Sequence, residues 1–275
     1  MARPLLLADA PFLLYRAFYA LPKKITGSDG KPVNALLGSV NAIMAAAEEH
    51  DARAVVACFG PDAAPYRVEL YAGYHAERPP MPAELARQWD QAPALYAALG
   101  WLVAEREELE ADDLLGAYAT AEVEAGGEAL IFTGDRDMFQ CAREGVRVLL
   151  TARGGPQLLD AAEVESRYGV PPALVPDFIA LRGDPSDGLP GAKGVGAKTA
   201  ADILTRHGSL EAALDASAEG TTLVAMRDQL LAFKEIATLR PVAVERPADR
   251  ALDRDGGAAA ARELGMERLA KRLEG

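Results

Sequence analysis

The sequence lacks several features that mark particular protein classes. Its 275 residues include only two cysteines, Cys58 and Cys141, and neither stands in a Cys-x-x-Cys pattern. We therefore expect neither a disulfide framework nor a zinc site, and the cysteine usage indicates a reducing cytoplasm. No apolar stretch is long enough to span a bilayer, and the short run at 5–7 does not have the pattern of a signal peptide. We expect no membrane association.

Basic residues are scarce relative to acidic ones. The chain has 29 Lys and Arg against 41 Asp and Glu, for a formal charge of −12. Because affinity for the phosphate backbone normally comes from a basic excess, this balance argues against a general nucleic-acid coat protein. It does not exclude a nucleic-acid enzyme, since eight of the acids fall in four short clusters where bound cations would offset their charge.

Apolar runs alternate with helical patterns in the first part of the chain. Four short runs end at Asp9, Phe59, Gly134 and Thr151. They are continuous rather than alternating, which is typical of buried parallel strands. Helical patterns cover roughly 33–49, 82–99 and 111–125. This order predicts an α/β fold with a mostly parallel central sheet flanked by helices.

The strand signal ends near residue 171, where short helices separated by glycine-rich turns begin. We therefore expect an α/β core over 1–170 and a helical region over 171–275, with the last helix packing back on the body. The segment 63–82 interleaves tyrosines and arginines and ends in prolines. It predicts a loop or arch, within an arch region near 63–100.

Acidic residues follow two of the predicted strands. Asp9 ends the first run, and Asp135 and Asp137 come directly after the third. The carboxyl ends of parallel strands meet at one edge, where open α/β sheets bind ligands, so we expect these three side chains to converge. Taken singly, each is more ordinarily a turn or helix-capping residue.

Two further acidic clusters lie at the start of a predicted helix and in a turn. The first contains Glu110, Asp112 and Asp113, and the second contains Asp184 and Asp187. Acids in a first helical turn are ordinary partners of the helix dipole. Carboxylates gathered together, however, repel one another unless cations neutralise them, and oxygen ligands suit Mg²⁺ or Mn²⁺ better than zinc. A pair of such ions would support phosphodiester hydrolysis without a nucleophilic side chain.

Six motifs in order resemble one family. They are LLLAD, YRAFYAL, CFGPDAAPYRVELYAGYHAERP, ELEADDLLGAYA, IFTGDRDMFQ and ALRGDPSDGLPGAKGVGAKTA. Across about the first 205 residues the chain resembles the 5′-3′ exonuclease and flap endonuclease family, which includes the 5′ nuclease domain of bacterial DNA polymerase I. Since no polymerase sequence follows, we expect a free-standing member. The resemblance implies a PIN-like core, a helix-hairpin-helix DNA-binding region, and a monomer that cuts DNA in replication and repair.

The resemblance also implies roles for individual residues. One Mg²⁺ or Mn²⁺ ion would be held by Asp9, Glu110, Asp112 and Asp113, and a second by Asp135, Asp137, Asp184 and Asp187. Catalytic contacts would come from Arg16, Arg67 and His75, and DNA contacts near the arch from Tyr15, Tyr66, Tyr74 and Arg78. An arginine beside an aromatic ring can clamp a phosphate while the ring stacks on an unpaired base. For Tyr15 a place in the core is an open alternative.

The glycine-rich turn resembles the hairpin with which the family holds duplex DNA. Its DNA-binding residues would be Gly191, Lys193, Gly194, Gly196 and Lys198, and the resemblance also allows a K⁺ ion there. Glycines let the backbone approach a phosphate, and the helix that follows presents free amide groups.

Two departures from the family pattern keep other functions open. Gly60 stands where the family has an aspartate, so we expect Gly60→Asp to tighten metal binding unless Asp62 reaches the same ion. His75 stands where the family has a lysine, and a histidine is only partly charged near neutral pH, so we expect a steeper loss of rate above neutral pH. A DNA-structure-binding protein with weakened catalysis and a related nuclease acting on RNA are the alternatives.

Overall fold

The computed structural model describes residues 3–275 and contains a six-stranded sheet in the order β3-β2-β1-β4-β5-β6. Strands β1 to β5 pair in parallel and β6 pairs antiparallel with β5. The strands are β1 (Leu5–Asp9), β2 (Ala54–Phe59), β3 (Leu102–Glu105), β4 (Ala129–Thr133), β5 (Val146–Leu150) and β6 (Gln157–Leu159). The predicted mostly parallel sheet is confirmed. Strands β3 and β6 were not predicted because both are short edge strands without a continuous apolar run.

Helices surround the sheet and dominate the chain after β6. They are α1 (Ala10–Ala20), α2 (Asn34–Glu49), α3 (Pro65–Leu70), α4 (Ala83–Ala98), α5 (Ala111–Glu124), α6 (Ala161–Tyr168), α7 (Val175–Arg182), α8 (Ala197–His207), α9 (Leu210–Asp215), α10 (Thr222–Ala225), α11 (Arg227–Ala237), α12 (Arg254–Glu263) and α13 (Glu267–Glu274), with 3-10 turns at Asp137–Cys141 and Pro172–Leu174. The three helices predicted before residue 126 correspond to α2, α4 and α5 to within one residue at each end. No helix within residues 3–275 has the length and apolar character needed to cross a membrane.

Both faces of the sheet are covered. Along β1, Leu6 and Ala8 join the cluster formed with α1, α2 and α4, whereas Leu5 and Leu7 join the cluster formed with α5. Burial on both faces explains why the central strands read as continuous apolar runs. A third cluster joins the end of β5 to α7, α8 and α11 and forms the core of the helical region.

The last two helices pack on the α/β core. Ala261 of α12 and Leu269 and Leu273 of α13 lie in the same hydrophobic cluster as α2 and α4. An extended segment, 238–253, connects α11 to α12 and runs along the core, where the Arg250 amide donates to the Arg53 carbonyl at 2.9 Å. The helical region expected over 171–275 therefore packs together only as far as α11, because the apolar stripes of α12 and α13 face the core.

The arch region expected near 63–100 is mostly ordered against the core. Helix α4 contributes 16 residues to it, and its Leu85, Ala92 and Leu95 are buried in the main cluster. The segment expected to be a loop contains α3, whose Tyr66 and Arg67 are buried. These side chains are buried because acidic groups of α5 pair with them.

Candidate active site

A cleft of about 370 Å³ lies beside the carboxyl ends of β1 and β4. Five separate stretches of chain contribute acids to it, because the parallel register brings the segments that follow β1, β2, β3 and β4 to one edge. The seven acids that line it are Asp9, Asp62, Glu110, Asp112, Asp135, Asp137 and Asp187. Of the eight acids singled out from the sequence, Asp113 and Asp184 do not line the cleft.

Asp9 both caps helix α1 and lines the cleft. Its Oδ1 accepts a hydrogen bond from the Phe12 amide at 3.0 Å and so caps the first turn of α1. Its Oδ2 accepts from the hydroxyl of Thr133, at the end of β4, at 2.5 Å. The ordinary capping role of an aspartate after a strand is therefore present in the same residue that lines the cleft.

A tight turn after β4 fixes the positions of Asp135 and Asp137. The Asp135 amide donates to Oγ1 of Thr133 at 2.9 Å, and the Asp137 amide donates to Oδ1 of Asp135 at 2.8 Å. The 3-10 turn that follows buries Met138 and Phe139. This packing explains why the two acids, and not the apolar residues beside them, border the cleft.

Burial, together with the charges of neighbouring acids, raises the pKa of Asp112, Asp135 and Asp137 above the ordinary value of 3.8. For Asp112 burial is the largest cause, and the charges of Asp135 and Asp9 add to it. Asp137 is raised well above 3.8 by burial and then by Asp135 and Asp187. The pKa of Asp135 rises to about 7, chiefly through burial, although the hydrogen bond from Asp137 opposes the rise. Asp184 also raises the pKa of Asp135 and Asp137, so it lies near the group.

The donor chemistry of the cleft fits divalent cations that prefer oxygen ligands. Several carboxylates that destabilise one another's charged forms would be stabilised by such a cation. Within the described part of the chain, however, no three acidic, histidine or cysteine side chains already have the geometry of a metal site. Oε2 of Glu110 and Oδ1 of Asp187 are instead bonded to neighbouring side chains.

Arg67 of α3 binds two of the acids at the start of α5. It lies 3.1 Å from Oε2 of Glu110 and 3.0 Å from Oδ1 of Asp113, and it is only 3% exposed. Burial opposes its charge, but Glu110 and Asp113 outweigh burial and raise the pKa of Arg67. Asp113 also accepts from the Tyr66 hydroxyl and the Arg240 amide. Asp113 is thus the buried partner of Arg67, and its carboxylate is not presented to the cleft as the sequence led us to expect.

Tyr66 and Tyr74 are buried, at 8% and 5% exposure. The guanidinium of Arg240 lies 3.4 Å from the centre of the Tyr66 ring. The Tyr74 hydroxyl donates to Oε2 of Glu110 at 2.9 Å, and its ring stacks on the ring of His75 at 3.9 Å. An unpaired base could therefore stack on either tyrosine only if the arch moved.

His75 and Arg78 join the arch to the loop that carries Asp187. The His75 amide donates to the Asp187 carbonyl at 3.1 Å, and its Nε2 lies 3.1 Å from Oδ1 of the same residue. Arg78 donates to that oxygen at 3.1 Å and to Oδ1 of Asp62 at 3.0 Å. His75 has a φ of +53°, a conformation that side-chain-bearing residues rarely adopt. The contacts to Asp187 and to the carbonyl of Asp62 hold it there.

Two family models match consecutive parts of the chain. One describes a 5′-3′ exonuclease N-terminal resolvase-like domain and matches residues 4–169, and the other describes a 5′-3′ exonuclease C-terminal SAM fold and matches residues 170–252. The chain belongs to the 5′-3′ exonuclease family. The recognition made from the six motifs is confirmed, and the fold is the PIN-like 5′ nuclease core with a C-terminal SAM-like helical domain.

Curated members of the family agree with this assignment. A 5′-3′ exonuclease of Mycobacterium tuberculosis is 35% identical over 100% of this chain and 98% of its own length. A thermostable DNA polymerase I of Thermus filiformis is 42% identical, but the match covers 75% of this chain and only 24% of the polymerase. The structure of a bacteriophage T5 flap endonuclease, in a pseudo-enzyme-product complex with DNA and metal ions, has a TM-score of 0.72 at 16% identity and covers 99% of this chain and 98% of its own.

The cleft has an apolar wall that the sequence did not reveal. Phe12, Met81 and Trp89 line it together with Tyr15. The Tyr15 and Trp89 rings meet edge to face at 6.3 Å. Trp89 carried no sequence signal because α4 reads as an ordinary core helix. Arg16 is exposed and is not among the residues that line the cleft, so this structure does not bring it to the acids.

Gly60 differs from the family pattern for a steric reason. A Cβ atom at this position would lie 2.4 Å from the Leu109 carbonyl oxygen and 2.8 Å from the Ala111 amide. The end of β2 therefore packs directly on the backbone that leads into α5. An aspartate at this position would have to displace that backbone, which argues against the expectation that Gly60→Asp restores a ligand. Asp62 lines the cleft, but its carboxylate is largely exposed and bonded to Arg78.

The glycine-rich turn connects α7 to α8 in the SAM-like domain. Lys193, Gly194 and Lys198 are exposed, and Gly196 caps the first turn of α8. Gly191 is instead buried, and a Cβ there would lie 2.3 Å from the Gly183 amide. It is required for close packing and is not at the surface that we expected to meet DNA.

Proposed function

We propose that the protein is a divalent-metal-dependent nuclease that hydrolyses DNA phosphodiester bonds at or near a 5′ end, as a 5′-3′ exonuclease and flap endonuclease. The observation that carries the proposal is the gathering of seven carboxylates in one cleft of a 5′-3′ exonuclease family member. A site of this composition binds cations, and cations beside a phosphodiester provide the hydrolytic chemistry.

Acids of the cleft, together with the neighbouring Asp184, divide into two groups of ligands. We propose that Asp9, Glu110 and Asp112 hold one ion and that Asp135, Asp137, Asp184 and Asp187 hold a second. Mg²⁺ or Mn²⁺ bound there would activate a water molecule and stabilise the leaving oxygen. Asp113 is left out of this assignment because Arg67, Tyr66 and the Arg240 amide occupy its carboxylate.

The remaining cleft residues orient the substrate. Arg78, which is half-exposed at the cleft, is available to meet a phosphate. Tyr15, Phe12 and Trp89 form an apolar wall that excludes water and can contact an unpaired base. Arg67 lines the cleft from its buried side and positions Glu110.

Duplex DNA is the proposed partner of the turn between α7 and α8. The exposed Lys193 and Lys198 flank the first turn of α8, whose free amide groups attract phosphate. The match to DNA polymerase I of Thermus filiformis and the DNA-bound T5 structure support this choice. A K⁺ ion at the turn, a monomeric state and a cytoplasmic site of action belong to the same proposal.

The direct test uses the purified protein and a labelled duplex with a 5′ flap. Cleavage is measured with Mg²⁺, with Mn²⁺ and with chelator, for the wild type, for the double variant Asp135→Asn with Asp137→Asn, and for Asp228→Asn. Asp228 is an exposed acid on α11 and serves as the matched control. We expect metal-dependent cleavage by the wild type and by the control, and none by the double variant.

Other outcomes identify the alternatives. Tight binding of the flap without cleavage under either metal would indicate a DNA-structure-binding protein. Faster cleavage of a flap made of ribonucleotides would indicate an RNA nuclease. Product length separates release of single nucleotides from cleavage at the flap base. Equal cleavage by the double variant and the wild type would refute the assignment of the cleft.

A further inference from the structure

The hydroxyl group of Thr133, which is not itself one of the clustered acids, links the ends of strands β1 and β4. Thr133 is the last residue of β4 and is fully buried. Its Oγ1 donates to Oδ2 of Asp9 at 2.5 Å and accepts from the Asp135 amide at 2.9 Å. Because Ala8 pairs with Phe132 in the sheet, Asp9 and Thr133 are the next residues along these two parallel strands. One side chain thus contacts an acid from each side of the proposed site.

The direction of these hydrogen bonds is determined by chemistry. The Asp135 amide can only donate, so the Thr133 oxygen must be its acceptor. The single hydroxyl proton is then available for Asp9, whose carboxylate can only accept. The other oxygen of Asp9 is held by the Phe12 amide. An ionised carboxylate has about four acceptor positions, so two bonds fix the orientation of Asp9 and still leave lone pairs for a cation.

From this geometry we propose that Thr133 is a positioning residue for metal binding, setting Asp9 and the turn that carries Asp135 at a fixed separation. The inference rests on the proposed metal-dependent function and adds a residue to it. Groups that orient ligands in this way commonly change metal affinity by about 10- to 100-fold when removed. Thr133 need not touch substrate or metal to have this effect.

The test is direct titration of the DNA-free protein with Mn²⁺ by calorimetry. Thr133→Val keeps the β-branched shape that suits a strand but can neither donate nor accept. We expect its Mn²⁺ dissociation constant to rise by about 10-fold or more. Thr133→Ser restores the hydroxyl and is expected to bind Mn²⁺ nearly as the wild type does. The half-saturating Mn²⁺ concentration for flap cleavage should likewise rise in Thr133→Val and stay close to the wild-type value in Thr133→Ser.

A matched control separates this effect from a general loss of stability. Ser39 in α2 is also fully buried, and its hydroxyl accepts from Tyr96 at 2.7 Å and donates to the Leu36 carbonyl at 3.1 Å, away from the cleft. Ser39→Ala should be less stable but should bind Mn²⁺ normally. If Thr133→Val does not fold, Thr133→Cys takes its place, because a thiol fills similar space and is only a weak hydrogen-bonding group.

The outcomes distinguish this inference from the function on which it rests. If the wild type binds Mn²⁺ and Thr133→Val binds it with equal affinity, the positioning role is overturned and the proposed nuclease function stands. Equal weakening in Thr133→Val and Thr133→Ser would also overturn it, since the hydroxyl would then be irrelevant. A wild type that neither binds Mn²⁺ nor cleaves would overturn the proposed function itself.

Discussion

Nε2 of His75 lies 3.1 Å from Oδ1 of Asp187, and the same carboxylate oxygen accepts a hydrogen bond from Arg78. The arch is therefore docked on the body through an acid of the proposed metal site. Asp187 cannot keep both contacts and also direct that oxygen at a cation. We therefore expect docking of the arch and binding of a cation to compete for Asp187, and a phosphate that attracts Arg78 to relieve this competition.

We expect Arg78→Ala to tighten Mn²⁺ binding in the absence of DNA. Removing this cation leaves Asp187 freer to bind another, although Arg78 is 36% exposed and solvent screens its effect. An exposed ion pair is worth about 0.2–1 kcal/mol, so the dissociation constant should fall by roughly 1.4- to fivefold. Calorimetric titration measures the change, and flap binding by the same variant should weaken.

Arg147→Ala is the matched control for that experiment. Arg147 lies on strand β5, away from the cleft. It is also 36% exposed and pairs with one carboxylate, that of Glu128. Its removal should not alter Mn²⁺ affinity. A weaker or unchanged Mn²⁺ affinity in Arg78→Ala would show that Arg78 does not compete with the metal.

Gly60→Asp is expected to destabilise the protein and not to improve its metal site. The new Cβ would meet the Leu109 carbonyl at 2.4 Å, so the backbone leading into α5 must shift. Forcing extra atoms into a packed site costs about 1–3 kcal/mol, which urea unfolding can measure. Gly196→Ala, in open space with an ordinary φ, should cost under about 1 kcal/mol. A Gly60→Asp protein of wild-type stability with tighter Mn²⁺ binding would reverse this conclusion.

A buried ion network in the core should make stability depend on acid pH. Arg53 and Arg246 both bond to the carboxylate of Glu122, which is fully buried in α5. Burial alone would raise the pKa of Glu122, but the two arginines overcome it and hold the pKa below its ordinary 4.5. A carboxyl group with a lowered folded-state pKa stabilises the fold above its unfolded-state pKa and loses this contribution as pH falls.

Glu122→Gln should therefore cost about 3–5 kcal/mol at pH 7, the scale for breaking a buried pair. The difference from the wild type should shrink below pH 4.5, as the wild-type Glu122 becomes protonated. Urea unfolding at a series of pH values measures both effects. Glu235→Gln, at an exposed position on α11, should show neither. A difference that stays constant from pH 7 to acid would refute the network's role.

The acid cluster should have the opposite pH dependence when metal is removed. The folded-state pKa of Asp135 is about 7, well above the ordinary 3.8, so the folded state binds this proton more tightly than the unfolded state does. Stability in chelator should then fall as pH rises from about 4 to 7. Asp135→Asn should be more stable than the wild type near pH 7.5 in chelator, and it should gain less from added Mn²⁺. Asp228→Asn is the control. An Asp135→Asn protein that is less stable than the wild type in chelator would contradict this account of the acid cluster.

Much of the nuclease core could be predicted from local sequence. The continuous apolar runs predicted β1, β2, β4 and β5, because strands covered on both faces have no polar side to interrupt them. The same runs placed Asp9 and Asp135 at one edge of the sheet. The edge strand β6 was missed because it is only three residues long.

The arch could not be predicted in the same way. Tyrosines and arginines interleaved with prolines read as an exposed segment, yet Arg67 and Tyr74 are buried against Glu110. Their partners stand about forty residues away in the sequence, and a charged side chain becomes a buried one only when its partner is beside it. Distance along the chain conceals such pairing.

The sequence by itself determined the family, the order of the strands along the chain and the acids available to bind a metal, because these depend on residue type and short-range periodicity. Only the tertiary structure decided which acids face the cleft and which are occupied elsewhere. Asp112 and Asp113 are neighbours in the chain, but one lines the cleft and the other is bound to Arg67. Adjacent residues of a helix point about 100° apart, so the packing around α5 gave them different partners.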